Sequence, residues 1–265
     1  MFSYSEEQLK SLARVEETRP ERTGKDLRRL TADEKDALLA AFHPDYIRSA
    51  YTNLQVGANA GAPVLKELAA LLQGTPRILS EKVDLSKVKY DVDVLIIGGG
   101  GAGASAAIEA KRAGANVMMV TKLRIGDANT AMAEGGIQAA DREGDSPAIH
   151  YLDALGGGHF KNKQELLEKL VTEAPEAILW LNTLGVMFDK DKNGDMVETH
   201  GGGTSRKRMH ACRDYSGSEI MRVLRDEVLN LGIPVVDFTS AIELIKDTDG
   251  KAAGAVLMNM ETKEI

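Results

Sequence analysis

The glycines between residues 98 and 103 have the spacing of a phosphate-binding turn. Val94 to Ile97 form a continuous apolar run, which predicts a parallel strand buried on both faces. Gly98, Gly100 and Gly103 follow it in the pattern G-x-G-x-x-G. The first glycine of this pattern permits a tight turn, the second admits a pyrophosphate close to the backbone, and the third lets the next helix pack on the strand. Free N–H groups at the N-terminus of that helix would bind the phosphates.

The flanking segments support this interpretation, because a glycine-rich turn alone also occurs in ordinary strand-to-helix connections. An amphipathic helix is predicted over residues 104–113, Gly114 ends it, and residues 116–120 predict a second strand. The turn therefore belongs to a β-α-β unit. The pattern does not decide between a flavin and a nicotinamide, since Thr121 and Lys122 stand where an acid usually ends the second strand.

The block from Thr121 to Gly136, TKLRIGDANTAMAEGG, resembles the second flavin-contacting segment of succinate dehydrogenase and fumarate reductase flavoprotein subunits. Residues 174–188 are similar to the family's Pro-Glu-Ala helix, and Arg208 to Gly217 fits its Arg…Asp-x-Thr-Gly stretch. The resemblance runs from about Tyr90 to the last residue and implies FAD as the cofactor. It also implies the cofactor-binding residues, which are Gly98, Gly99, Gly100, Gly101, Ala102, Gly103, Thr121, Lys122, Asn129, Thr130, Ala133, Glu134, Gly135 and Gly136.

One departure from the family pattern concerns the bond to the flavin. In the membrane-bound members, the histidine of a Ser-His-Thr triplet is bonded covalently to the flavin, whereas this chain has Ala128, Asn129 and Thr130. The amide of Asn129 cannot form that bond. We therefore expect FAD to be bound non-covalently, as in the soluble relatives and in L-aspartate oxidase.

The resemblance implies an FAD-dependent oxidoreductase of the fumarate reductase and succinate dehydrogenase type. Such an enzyme exchanges a hydride between flavin N5 and a C4 dicarboxylate, and an iron–sulfur partner subunit carries the electrons. The family's substrate-binding residues follow an Ala-Thr-Gly-Gly strand that this chain does not reach, so we expect an N-terminal portion and name no catalytic residue. Two alternatives stay open, namely L-aspartate oxidase chemistry and a non-catalytic FAD-binding or assembly module.

Composition restricts the partners and the location of the chain. Its 265 residues are 43% hydrophobic and 28% charged, which is typical of a soluble globular protein. We find neither an apolar run of 18 residues nor a secretory signal, so we expect a cytoplasmic location, with membrane association only through partner subunits. The net charge of −7 argues against a nucleic-acid partner.

The candidate metal ligands have unsuitable spacing. The single Cys212 is interpreted as a small buried residue that can form neither an internal disulfide nor an iron–sulfur cluster. His150 and His159 are not spaced for joint metal binding. No metal site is therefore predicted, and electrons would leave through another protein.

Residues 1–89 predict a mostly helical N-terminal extension. Capping boxes begin two helices at Ser5 and Thr31, and residues 19–29 between them predict a linker. A loop follows the second helix, a third helix is predicted from Pro63 to Gly74, and residues 78–89 connect to the next domain. The extension could dock a partner subunit or cover the cofactor domain, and the sequence does not choose between these roles.

Residues 90–265 predict an α/β, Rossmann-like FAD-binding domain with a parallel sheet and a β-meander. A helix follows Ser146, glycines 156–158 end it, and residues 164–184 predict two helices broken near Pro175. Residues 234–238, 241–246 and 252–260 predict three strands. Their last turn contains Asp249 and Gly250.

The basic run at residues 206–208 has two interpretations. It is either a solvated turn or a cluster near the cofactor or an acidic substrate. His200, Ser205 and Asp214 lie near it, but closeness in sequence does not make a hydrolytic triad. We therefore do not predict hydrolysis.

Overall fold

The computed structural model describes residues 4–26, 28–43, 46–74 and 83–265. The chain divides into two compact units, Met1–Arg77 and Ile78–Ile265. The predicted domain boundary at residue 89 stays a prediction, and the predicted connection over residues 78–89 lies partly outside the described residues.

In its described part, the first unit contains three α-helices and a short antiparallel hairpin. Its elements are α1 (Glu6–Arg22), α2 (Ala32–Phe42), β1 (Tyr51–Asn53), β2 (Pro63–Leu65) and α3 (Lys66–Leu72). Both predicted capping boxes are present, because the side chains of Ser5 and Thr31 each accept from the N3 backbone N–H and the N3 side chain accepts in return.

Two boundaries in this unit differ from the prediction. Helix α1 continues through Pro20 to Arg22, so the first residues of the expected linker are helical. Pro20 removes one hydrogen bond near the C-terminal end of the helix but does not end the helix before Arg22. Pro63 begins strand β2 rather than a helix, because residues 51–53 pair with residues 63–65 and convert the expected loop into a hairpin.

The second unit contains eight strands and four helices in its described part. In chain order these are β3 (Val94–Ile97), α4 (Gly101–Arg112), β4 (Val117–Val120), β5 (Ile137–Gln138), α5 (Pro147–Gly157), α6 (Gln164–Leu184), β6 (Glu198–Thr199), β7 (Met209–His210), α7 (Ser216–Asn230), β8 (Val235–Val236), β9 (Thr239–Lys246) and β10 (Ala252–Asn259).

Strands β3, β4 and β8 form the predicted parallel sheet in the order β3-β4-β8. Val94 pairs with Val117, and Val120 pairs with both Ile97 and Val236. All four residues of β4 are buried, whereas β3 is only half-buried and Ile97 is 50% exposed. The prediction that β3 is buried on both faces is therefore wrong. In the described residues β4 has a neighbour on each side, and β3 has a neighbour on one side only.

Helix α6 is continuous over 21 residues, so the predicted break at Pro175 is wrong. A proline inside a helix costs about 3 kcal/mol, since it removes one hydrogen bond and crowds the preceding turn. One face of α6 buries five apolar residues on both sides of the proline, and each large side chain contributes about 1.5–3 kcal/mol. The free energy gained by burying the whole face therefore exceeds the free-energy cost of Pro175.

The remaining strands form two antiparallel sheets. Strands β9 and β10 form a two-stranded ribbon whose turn contains the predicted Asp249 and Gly250. Strands β5, β7 and β6 form a three-stranded sheet with β7 in the centre. Within the described ranges, the helices are too short or too polar to cross a membrane.

The interpretation of Cys212 as a small buried residue agrees with its 5% exposure. Burial, and to a smaller degree the charges of Glu219 and Asp189, raise the pKa of this thiol to about 11. At pH 8 the thiolate is therefore about 100-fold rarer than in an ordinary cysteine. We expect a thiol reagent to label Cys212 at least about 100-fold more slowly in the folded chain than in denaturant. Equal labelling rates would contradict this environment.

Candidate functional site

The glycine turn connects the C-terminal end of β3 to the N-terminus of α4. Gly98 has a φ of +113°, which glycine adopts without strain, and Gly100 is the N-cap of the helix. The N-cap Gly100 has no side chain with which to cap α4, and the first turn contains no acidic residue. The N–H groups of Ala102 and Gly103 have no carbonyl within the helix to bond, so this helix end is suited to an anion.

Gly103 allows α4 to pack closely against β3. A Cβ on this residue would be 2.0 Å from the carbonyl oxygen of Gly98 and 3.2 Å from Cγ2 of Ile96. No side chain fits at the first of these distances. The packing function expected for the third glycine of the pattern is therefore visible in the geometry.

The end of β4 lies beside the turn. A Cβ on Gly99 would be 3.0 Å from Oγ1 of Thr121, and the carbonyl oxygen of Gly99 accepts from the N–H of Gly126 at 2.9 Å. Thr121 is buried, whereas Lys122 is exposed. The structure thus places a hydroxyl where the general pattern has an acid, and leaves the neighbouring cation in solvent.

The second predicted segment also reaches the glycine turn. Thr130 lies in the 3-10 helix Asn129–Met132, and its Oγ1 accepts from the N–H of Gly101 at 3.2 Å. Asn129 is exposed at the start of this helix. The two segments that the resemblance assigned to the cofactor are therefore in direct contact, although 29 positions separate the bonded residues.

Residues 133–136 run against the N-terminus of α7. The carbonyl oxygen of Ala133 accepts from the N–H of Gly217 at 2.7 Å, and that of Glu134 accepts from Oγ of Ser216 at 3.2 Å. A Cβ on Gly217 would be 1.9 Å from the carbonyl oxygen of Thr130, so this contact requires glycine. Ala133, Glu134 and Gly135 remain exposed.

A cavity of about 320 Å³ adjoins both predicted segments. It is bordered by α6 and α7, including the half-buried Trp180, and five predicted residues line it, namely Gly101, Ala102, Thr130, Ala133 and Gly136. The structure therefore brings together the glycine turn, Thr121 and residues 130–136. The side chains of Lys122 and Asn129 lie in solvent at the edge of this region.

Sequence reasoning missed a buried ion-pair network at Arg208. The Arg208 side chain is fully buried and contacts Asp145 at 2.6 Å and Asp153 at 2.6 Å. Asp153 also accepts from the backbone N–H and the hydroxyl of Ser205, at 2.9 and 2.8 Å. The solvated-turn interpretation is therefore wrong for Arg208, although Arg206 and Lys207 are exposed.

The network lowers the pKa of both carboxyl groups. The Arg208 guanidinium is the main cause for Asp145 and outweighs the opposing effect of burial. For Asp153, burial alone would raise the pKa, but hydrogen bonds from Ser205 and Arg208 together lower it to about 2. The network joins α5 to the loop that precedes β7, and Asp153 lines a second cavity of about 630 Å³. No sequence pattern links these residues, because Asp145 and Arg208 are 63 positions apart.

The fold and the glycine turn define a dinucleotide-binding α/β domain. The sequence model of the family described as FAD binding domain matches residues 93–265, so the chain belongs to this family. The expected fold class, a Rossmann-like FAD-binding domain, and the expected cofactor, FAD, are thereby confirmed.

Individual relatives agree with the family resemblance predicted from the sequence. The chain is 38% identical over 166 residues to L-aspartate oxidase of Streptomyces coelicolor, a match that covers 62% of this chain and 29% of that protein. It is 35% identical over 177 residues to the 8-methylmenaquinol:fumarate reductase flavoprotein subunit of Wolinella succinogenes, covering 65% of this chain and 29% of that protein. The chain thus spans less than a third of the length of these relatives.

Solved structures share the fold. Mycobacterium smegmatis Sdh1 in complex with UQ1 superimposes with a TM-score of 0.63 and 39% identity, over 65% of this chain and 31% of that one. The open conformation of a flavocytochrome c3 fumarate reductase gives a TM-score of 0.63 at 27% identity, over 69% and 33% of the two chains. The predicted resemblance to these flavoproteins is confirmed.

Proposed function

We propose that this chain carries the N-terminal FAD site of an FAD-dependent oxidoreductase of the fumarate reductase and succinate dehydrogenase type. The complete enzyme would exchange a hydride between flavin N5 and a C4 dicarboxylate. The observation that carries the proposal is the N-terminus of α4, where Gly101 bonds to Thr130 of the second predicted segment while the N–H groups of Ala102 and Gly103 have no partner within the helix. Several relatives are named as fumarate reductases, which supports this reaction class.

Different residues of the site would bind different parts of the cofactor. The free N–H groups at the start of α4 would bind the pyrophosphate, and the Thr121 hydroxyl would form a hydrogen bond with the ribose. Residues 133–136, fixed against α7, would lie along the flavin ring. FAD supplies the hydride chemistry when bound, while this chain orients it and keeps its ring against an ordered backbone.

We also propose an iron–sulfur partner subunit as the electron carrier of the complete enzyme. Two of the relatives are named as subunits of fumarate reductases, which supports a partner protein. The complete enzyme would be cytoplasmic, with membrane contact only through such partners.

The first experiment is the visible absorbance of the purified chain before and after acid precipitation. We expect yellow protein that releases FAD into the supernatant, because Asn129 cannot form the covalent histidyl bond. Flavin fluorescence that migrates with the denatured chain on a gel would contradict non-covalent binding. Colourless protein that stays colourless with added FAD would contradict the proposed site.

The second candidate function is L-aspartate oxidation, favoured by the 38% identity to the Streptomyces coelicolor enzyme. The N-terminal extension before residue 90 counts against it, because the family resemblance implies that L-aspartate oxidases lack such an extension. Anaerobic flavin reduction in the full-length protein separates the candidates. Succinate should reduce the flavin under the first proposal and L-aspartate under the second. Reduction by neither would favour a non-catalytic FAD-binding or assembly module.

A further inference from the structure

Three titratable side chains meet on the small antiparallel sheet β5-β7-β6. Glu198 of β6 pairs with His210 of β7, and Asp141 follows the end of β5. Nε2 of His210 is 3.2 Å from Oδ1 of Asp141 and 3.5 Å from Oε1 of Glu198. The three ligand atoms all lie within 4.8 Å of one another. We call these three residues the Asp-Glu-His cluster.

Burial increases toward the centre of the sheet. The His210 side chain is fully buried, that of Glu198 is 13% exposed, and that of Asp141 is 25% exposed. The cluster therefore has a closed side at the imidazole and an open side at Asp141. A small ion could enter from solvent on the open side and keep a water ligand there.

One oxygen of the cluster has no hydrogen-bond donor. Oε1 of Glu198 is inaccessible to solvent and unpaired, although it faces Nε2 of His210. The nearby cation does not satisfy it, because Nε of Arg142 lies 3.9 Å from the other oxygen, Oε2. The Arg142 side chain also donates a hydrogen bond to the carbonyl oxygen of Met196. An unpaired buried carboxylate oxygen is costly unless a proton or a cation occupies the space beside it.

The charges of the cluster point in the same direction. The ligand oxygens of Asp141 and Glu198 lie within 4.8 Å of each other, and two carboxylates at this distance repel each other unless they share a positive charge. Arg142 supplies part of that charge from one side, with its Nε 3.9 Å from Oε2 of Glu198.

We propose that Asp141, Glu198 and His210 bind a divalent transition-metal ion, with Zn²⁺ as the best match. One imidazole and two carboxylates are ligands that Zn²⁺ accepts, at about 2.0–2.2 Å from the metal. A tetrahedral ion at about 2.1 Å places its ligand atoms roughly 3.4 Å apart by simple geometry. The observed separations of 3.2 and 3.5 Å from Nε2 are close to this spacing.

The metal would brace the sheet beside the predicted cofactor segment. His210 pairs with Ile137, the residue that follows Gly136, and a Cβ on Gly136 would be 2.3 Å from the carbonyl oxygen of His210. A bound ion would therefore join β5, β6 and β7 directly behind residues 133–136.

Equilibrium dialysis with Zn²⁺ tests the site on the whole chain, after removal of any affinity tag and treatment with a chelator. We expect one equivalent of Zn²⁺ per chain and a loss of affinity of at least about 100-fold in Glu198→Gln, which keeps the size of the side chain. Glu143→Gln is the matched control, because it removes the same charge from an exposed residue two positions from Asp141. It should bind Zn²⁺ like the unmodified chain.

Co²⁺ provides a second measurement that does not depend on affinity. Its visible absorption is intense in tetrahedral coordination and weak in water, so the bound ion should colour the unmodified chain and Glu143→Gln but not His210→Gln. Circular dichroism and Trp180 fluorescence show whether each variant is folded. If His210→Gln unfolds, the result for Glu198→Gln decides.

Two outcomes would overturn the proposal. The unmodified chain could bind no Zn²⁺, or Glu198→Gln could bind it as tightly as Glu143→Gln.

Discussion

The chain carrying Gly100→Val is expected to fold and to lose FAD. Gly100 is the N-cap of α4, and a valine side chain there would occupy the place of the pyrophosphate. The new Cβ would be 3.2 Å from Cβ of Ala128, so the branched side chain also crowds the second predicted segment. We expect less than about a tenth of the flavin bound by the unmodified chain, measured as visible absorbance per polypeptide after purification.

Ala106→Val is the matched control for this variant. Ala106 lies on the exposed face of the same helix, and the substitution adds carbon atoms away from the turn. Its flavin content should be unchanged. Trp180 fluorescence and circular dichroism report whether both variants are folded. A folded Gly100→Val chain with normal flavin content would show that the glycine turn does not bind the cofactor.

Replacement of Arg208 by leucine is expected to lower the free energy of unfolding of the second unit by about 3–5 kcal/mol at pH 7. The substitution leaves the carboxylates of Asp145 and Asp153 without their guanidinium, and their side chains are only 5% and 17% exposed. The measurement is urea unfolding followed by fluorescence of Trp180, the single tryptophan, which lies in α6.

The two carboxyl groups, Asp145 and Asp153, also predict how the free energy of unfolding changes with pH. Both carboxyl groups have folded pKa values below the ordinary 3.8, about 2 for Asp153. Their contribution to stability is therefore complete above about pH 4 and disappears as pH falls through about 2. The difference between the unmodified chain and Arg208→Leu should therefore shrink as the pH falls from about 4 to about 2.

Lys207→Leu is the control for the loss of a positive charge. Lys207 is the exposed neighbour of Arg208, and its replacement should change the free energy of unfolding by no more than about 0.5 kcal/mol. Equal losses in the two variants would contradict the assigned network. So would an Arg208→Leu difference that stays constant from pH 7 to about pH 2.

Features that depend on neighbouring residues were predictable from the sequence. The capping boxes at Ser5 and Thr31 and the glycine turn at residues 98–103 each place their partners within a few positions, so chain geometry alone brings them together. The contact between Thr130 and Gly101 is longer in range and was not predicted, although the family resemblance assigned both residues to the cofactor.

Features that depend on tertiary packing were missed. Pro175 is a helix breaker by local rules, yet the buried face of α6 overrides it. Arg208 lies in a basic run that is typical of a solvated turn, and its two aspartates are 55 and 63 positions away. The Asp-Glu-His cluster draws its residues from three separate stretches of the chain. No periodicity or spacing in the sequence connects such groups before the sheet forms.

The strand order β3-β4-β8 also has a consequence for synthesis on the ribosome. Val120 of the central strand pairs with Val236, which is more than 100 residues later in the chain. At a translation rate of 5–20 residues per second, the apolar edge of β4 therefore stays unpaired for about 10 s before β8 is synthesised. Strand edges that wait unpaired are prone to aggregate, so the nascent chain should depend on chaperones during that interval.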